Sequence, residues 1–123
     1  MERLWLRLPF AALIDITGIM TGSIIRSSGG VTLAGGGALP AALLARALAV
    51  APRLVAADGG LDRALGLGHM PEAVIGDLDS ASPEALAQVA PGRLHRVAEQ
   101  ETTDFDKALR SIDAPFVVAV GVS

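Results

Sequence analysis

Four aspartates, Asp58, Asp77, Asp79 and Asp104, are the residues of this chain best placed to do chemistry. They stand in three short segments: Asp58-Gly59-Gly60, Gly76-Asp77-Leu78-Asp79-Ser80 and Thr103-Asp104-Phe105-Asp106. Carboxylates brought together repel one another and resist joint ionisation. A hard cation removes the conflict, and Mg²⁺ prefers carboxylate and phosphate oxygens and usually arrives with a nucleotide. If residues 77–79 stay extended, the Asp77 and Asp79 side chains point the same way. Gly35-Gly36-Gly37 and Gly59-Gly60 supply backbone without side chains. The N–H groups of Gly36, Gly37, Gly59 and Gly60 can then come close to phosphate oxygens.

The elements that must position these residues follow from the apolar pattern. Val31–Ala34 is β-prone and closes on the triple glycine. Pro40 opens an Ala/Leu-rich helix over 41–50. Residues 53–57 form a buried strand ending at Asp58, followed by a short helix over 61–67 that Gly68 ends. A third strand over 72–75 leads into the Asp77–Ser80 segment. Ser82-Pro83-Glu84 is a helix start, with a hydroxyl cap, proline in the first turn and an acid behind it. That helix runs to about 89 and breaks at Pro91-Gly92. A strand over 94–98, a helix from 103 to about 112 and a strand over 115–120 complete the pattern. Strands alternating with helices at this spacing predict an α/β fold. It is a Rossmann-like, mostly parallel sheet of about five strands with flanking helices. Ligands of such sheets bind beyond the C-terminal strand ends. Asp58, Asp77 and Asp79, and the Glu99–Asp104 segment all fall at that edge.

Each of these signals also has an ordinary structural role. Asp-Gly is turn chemistry at a strand end. Asp77 and Asp79 can serve as turn and capping residues. Thr103 with Asp106 fits a capping box, and Asp104 suits a helix N-terminus. The joint placement at one edge favours a Mg²⁺–nucleotide site over separate turns. His69 and His95 have no spaced partners, and Ser80 and Ser82 lack a matching base.

Composition excludes several other classes. Hydrophobic residues make up 51% of the chain and charged residues 19%, a globular balance and not a disordered one. With aromatics at 3%, the core must be aliphatic. A net charge of -3 without a basic stripe argues against nucleic-acid binding. The absence of cysteine rules out thiolate nucleophiles, disulfides and Cys-ligated zinc. It also suits the cytoplasm. Residues 4–25 are rather apolar, but Arg7, Pro9 and Asp15 interrupt them. No run approaches the roughly 20 residues of a membrane span, and no membrane partner is expected. Asp15 and the lack of a small-x-small site argue against a signal peptide. Residues 1–28 are an N-terminal extension: an extra packed segment, or an upstream extension of the reading frame with Met20 as an internal start.

From Gly29 to Ser123 the motifs resemble thiamine pyrophosphokinase. The resemblance rests on Leu54–Gly60, on Pro71–Ser80 and on Glu99-Gln100-Glu101-Thr102-Thr103-Asp104-Phe105-Asp106-Lys107-Ala108-Leu109, in that order. It implies transfer of pyrophosphate from ATP to the hydroxyethyl group of thiamine, giving thiamine diphosphate and AMP. It further implies that Asp58, Asp77, Asp79 and Asp104 handle Mg²⁺ and phosphate, with Asp77, Asp79 and Asp104 catalytic. Ser80 and Thr103 would belong to the nucleotide site, and Gln100 would lie near thiamine. A homodimer is implied too, with thiamine bound partly by a C-terminal β-sandwich and the partner subunit. Two features depart from the pattern. Glu101 stands where the family usually has Asp, and so is not counted as a ligand. The chain stops at Gly121-Val122-Ser123, where a Gly-Arg-x-Asp-His-like segment and the β-sandwich should follow. The expected role is therefore that of the nucleotide-binding half, residues 29–123. Two other readings compete: a nucleotide-binding or dimerisation fragment without turnover, and an unrelated Asp-x-Asp transferase.

Overall fold

Four short apolar runs and the mixed run Leu94–Arg96 build the parallel sheet. The computed structural model describes residues 5–6, 24–97 and 104–122. In chain order the elements are β1 (Trp5–Leu6), β2 (Ile25–Arg26), β3 (Val31–Ala34), α1 (Ala41–Val50), β4 (Arg53–Ala57), α2 (Gly60–Gly66) and β5 (Ala73–Gly76). There follow α3 (Pro83–Ala87), a 3-10 turn (Pro91–Arg93), β6 (Leu94–Arg96), α4 (Asp104–Arg110), β7 (Ile112–Asp113) and β8 (Val117–Val120).

The main sheet has the order β1-β8-β3-β4-β5-β6. Pairing is parallel from β8 through β6, and β1 adds an antiparallel edge on β8. This is the expected parallel α/β architecture. β2 and β7 pair in parallel as a separate two-stranded piece, which the sequence pattern did not predict. Each is two residues long, too short to show any periodicity.

The strands β3, β4, β5 and β8 are buried, which is why they consist almost wholly of small and aliphatic residues, whereas the edge strand β6 (Leu94-His95-Arg96) is part-buried and mixed. Alternation within each strand divides them between two layers. Leu54, Ala56, Val74, Val118 and Val120 pack against Leu44 and Ala47 of α1, Leu61 and Ala64 of α2 and Ala85 of α3. Val31, Leu33, Val55, Ala57, Ile75 and Val117 pack against Ala108 of α4 and against Ile112. Thr32 is the polar exception within β3. It is fully buried, and its hydroxyl donates to the Ala51 carbonyl at 2.7 Å, so no polar atom is stranded there.

From β3 to β6 the chain steps steadily across the sheet, and β8 then returns to the far side of β3. The direction of winding reverses between β3 and β8, the position at which doubly wound sheets open a ligand crevice. Here the two loops at the reversal are locked together. Gly35 N–H donates to Val120 O at 2.8 Å and Gly37 N–H to Gly121 O at 2.7 Å. A Cβ on Gly35 would stand 2.8 Å from the Gly121 oxygen, so the contact needs glycine. The open space is displaced one strand over, to the ends of β3, β4 and β5. No described helix is long and apolar enough to cross a membrane.

Candidate functional site

The chain leaves β4 through Asp58, a non-glycine residue held at φ 40°. That left-handed conformation costs about 1–2 kcal/mol for an L-residue, so something must hold it. The side chain does. Asp58 is only 1% exposed, and its carboxylate accepts from Ala81 N–H at 2.8 Å and from Ser80 N–H at 3.1 Å. Asp58 therefore ties the loop after β5 to the end of β4. A second acid repeats the device one turn into α2. Asp62 accepts from Ser82 N–H at 2.9 Å and from the Ser82 hydroxyl. The same hydroxyl oxygen accepts from Ala85 N–H at 3.1 Å, the expected cap of α3.

The segment between Asp77 and Asp79 is not extended, so the condition for the two side chains to point the same way is not met, and the turn role named for these acids is the one realised. Leu78 sits at φ 66°, and Asp79 N–H donates to Asp77 Oδ1 at 3.2 Å. This local side-chain-to-backbone turn outcompetes the extended form once β5 has ended. It also acts on the charge of Asp77. The Asp79 amide holds the Asp77 carboxyl below its ordinary value, and so, next in size, does a hydrogen bond with the Asp58 side chain. Lys107 and Arg96 add smaller contributions in the same direction, against a small opposing one from desolvation. Asp58 and Asp77 stand at the ends of adjacent strands, β4 and β5, and the loop that carries Asp77 is tied to the Asp58 carboxylate through Ser80 and Ala81. Carboxylates gathered at one strand edge repel, and a shared cation relieves the repulsion.

Beside this pair lies a cavity of about 590 Å³, within the range of small-molecule sites. Its walls include Gly36, Asp58, Gly59, Ser80, Arg63 and Phe105. Four of the expected nucleotide-site residues, Gly36, Asp58, Gly59 and Ser80, therefore meet at one opening. Gly37 and Gly60 do not line it. Gly37 N–H is taken by Gly121, and Gly60 is buried with its α-carbon facing the Ala34 carbonyl, where any Cβ would collide. Both shape the wall from behind. Asp77 and Asp79 are also not lining residues. Asp77 is half-buried at the end of β5, on the loop whose Ser80 lines the cavity, and Asp79 is exposed on the same loop. Asp104 heads α4, but its side chain, like Gln100 and Thr103, lies outside the described residues. Among the described residues, no three acids or histidines converge as a ready-made metal cage.

Four residues around the site were not singled out from the sequence. Asp62 pairs with Ser82, and nothing in a sequence links positions twenty apart. Phe105 reaches the cavity from α4, the helix on the opposite face of the sheet. Lys107 is 3% exposed on the same helix and close enough to influence Asp77. Arg63 had a legible signal: a residue in the first turn after Asp58-Gly59-Gly60 must lie at the same edge.

Comparison with known proteins bears on the family and the fold. Residues 44–119, more than half of the chain, match the thiamin pyrophosphokinase catalytic domain. Among solved structures the chain is similar to yeast thiamin pyrophosphokinase, with 19% identity and a TM-score of 0.55 over 78% of this chain. It is similar to thiamin pyrophosphokinase from Candida albicans, with 19% identity and a TM-score of 0.57 over 89% of this chain. At that identity the likeness concerns the fold. The chain spans 37% and 39% of the length of those two proteins. No curated protein matches it in sequence. The family match over residues 44–119 includes Asp58, Asp77, Asp79 and Asp104, and on that match the chain belongs to the thiamin pyrophosphokinase catalytic-domain family.

Proposed function

We propose that this chain binds Mg-ATP and serves as the nucleotide-binding part of a thiamine pyrophosphokinase. That enzyme would transfer pyrophosphate from ATP to thiamine and release AMP. One observation carries the reading: Asp58 lines a 590 Å³ cavity at the C-terminal strand edge, and its carboxylate holds the Ser80 and Ala81 amides of the loop that carries Asp77 and Asp79. Mg²⁺ is commonly held by one or two carboxylates together with substrate phosphates, so a pair fits it better than a closed cage would. Asp58 and Asp77 would hold the ion, and Asp79 and Asp104 are the further acids proposed for the same task. When bound, Mg²⁺ would neutralise charge on the phosphate oxygens.

Pyrophosphate transfer depends on positioning and charge neutralisation more than on covalent chemistry. The chain's own residues suit that demand. Gly36 and Gly59 keep the cavity wall free of side chains. The bonds from Ser80 and Ala81 to Asp58 fix the loop that carries Asp77. Gln100 and Thr103 are proposed to contact thiamine and nucleotide respectively. A homodimer and a cytoplasmic location belong to the same proposal.

The test is calorimetric titration of the chain with ATP, with Mg²⁺ and then with a chelator. Mg²⁺-dependent binding is expected, and Asp77→Asn or Asp79→Asn should each abolish it without lowering the melting temperature by more than a few degrees. Unchanged binding in both variants would remove the metal assignment. Measuring AMP release with and without thiamine separates turnover from binding alone.

A further inference from the structure

Among the described residues that line the cavity beside Asp58, Arg63 is the one cationic side chain. Arg63 is an exposed residue of α2, yet its Nε–H donates at 3.2 Å to the carbonyl of Gly36, another residue of the cavity wall. The two acids in the same wall have internal work. Asp58 accepts from the Ser80 and Ala81 amides, and Asp62 from the Ser82 amide and hydroxyl. A guanidinium carries five N–H donors in a rigid plane, so the Gly36 bond uses one and leaves the terminal pair. That pair matches two oxygens of a phosphate in a way a lysine cannot. The tether also fixes a long side chain before any ligand arrives, which reduces the entropy lost on binding.

The chemistry of the wall then points one way. A polyanion entering a cavity lined by Asp58 and Asp62 meets repulsion, which the Mg²⁺ proposed at Asp58 would offset on one side and the Arg63 guanidinium on the other. Gly36 and Gly59 approach each other with a hypothetical Gly36 Cβ 3.6 Å from Gly59 Cα, and so leave a side-chain-free strip of backbone next to Arg63. We propose that Arg63 is a phosphate-binding residue of this site: its Nε–H anchors it to the glycine loop, and its terminal N–H groups grip the polyphosphate of the nucleotide. This inference rests on the nucleotide reading given above, and it assigns a ligand contact to a residue outside the aspartate motifs.

The test uses inorganic tripolyphosphate and ATP as probes, titrated calorimetrically at low salt into the whole chain and into Arg63→Met and Arg63→Gln. A charge-assisted phosphate contact corresponds to about a 10- to 100-fold loss of affinity for both probes. Adenosine, which has no phosphate, should bind the variants as it binds the parent. Arg63→Gln keeps a donor for Gly36 but removes the charge, so the loss should persist in it at unchanged melting temperature. Affinities within twofold of the parent for both probes would overturn the assignment and leave Arg63 as a loop staple. A parent chain that binds neither probe would overturn the nucleotide reading itself, and this inference with it.

Discussion

Replacing Gly60 by alanine tests how the cavity wall is built. In an ordinary helix, glycine to alanine stabilises by about 0.5–1 kcal/mol through backbone entropy. At Gly60 the sign should reverse. The new methyl would overlap the Ala34 carbonyl oxygen and stand 2.7 Å from the carbonyl carbon and 3.2 Å from Gly35 C. Ordinary carbon contacts need about 3.5–4.0 Å, so the start of α2 must retreat by about 1 Å. The obstacle is the backbone of a central strand, which cannot rotate aside as a side chain can. Overpacking of this kind costs about 1–3 kcal/mol, and we expect the upper end. With an unfolding entropy of about 2.1 cal/mol/K per residue, 3 kcal/mol corresponds to about a 12 °C drop in Tm. Gly66, at the end of the same helix, has nothing within 4 Å of a Cβ. Gly66→Ala should therefore raise Tm by about 2 °C. Thermal unfolding followed by circular dichroism gives both values. Because α2 carries Asp62 and Arg63 into the cavity wall, Gly60→Ala should also weaken ATP binding, and Gly66→Ala should not. If Gly60→Ala melts at or above the parent temperature, the close approach of α2 to β3 is not what builds the wall.

Two further outcomes follow from the acids. Asp58→Ala removes the acceptor for the buried Ala81 amide and for the Ser80 amide, and should destabilise by about 2–4 kcal/mol in urea denaturation; a loss below 0.5 kcal/mol would show that the loop after β5 holds itself. Asp77 has a folded-state pKa lowered by the Asp79 amide and then by the Asp58 side chain, so its stabilising effect is fully present above the ordinary carboxylate range of about 4 and disappears as pH falls through the lowered value. The stability gap between the parent and Asp77→Asn should accordingly shrink below about pH 4, and a gap that stays constant or widens toward acid would contradict the local turn.

The parallel α/β order was legible because β3, β4, β5 and β8 are apolar runs closed by Gly or Asp, and each longer helix has its own start and stop residues. Pro40, Ser82-Pro83 and Gly68 mark boundaries that the structure keeps within a residue or two. Such signals are local, and the chain determines them residue by residue. The edge to which Asp58 and Asp77 belong was also legible, because parallel topology sends every strand end to one side. The sequence alone could not indicate which groups would touch. The Asp79 amide turns back on Asp77 and cancels the extended geometry expected for 77–79. Asp62 finds Ser82 twenty residues away, and Arg63 finds Gly36 across two strands. Gly37 and Gly60 have the composition of a phosphate loop, yet tertiary packing uses them against Gly121 and Ala34. Periodicity and turn chemistry act over a few residues and are written in the chain. Close approach of two backbones, and the tie between the Asp58 carboxylate and the loop after β5, depend on how β3, β4 and β5 align, and that alignment exists only in the folded state.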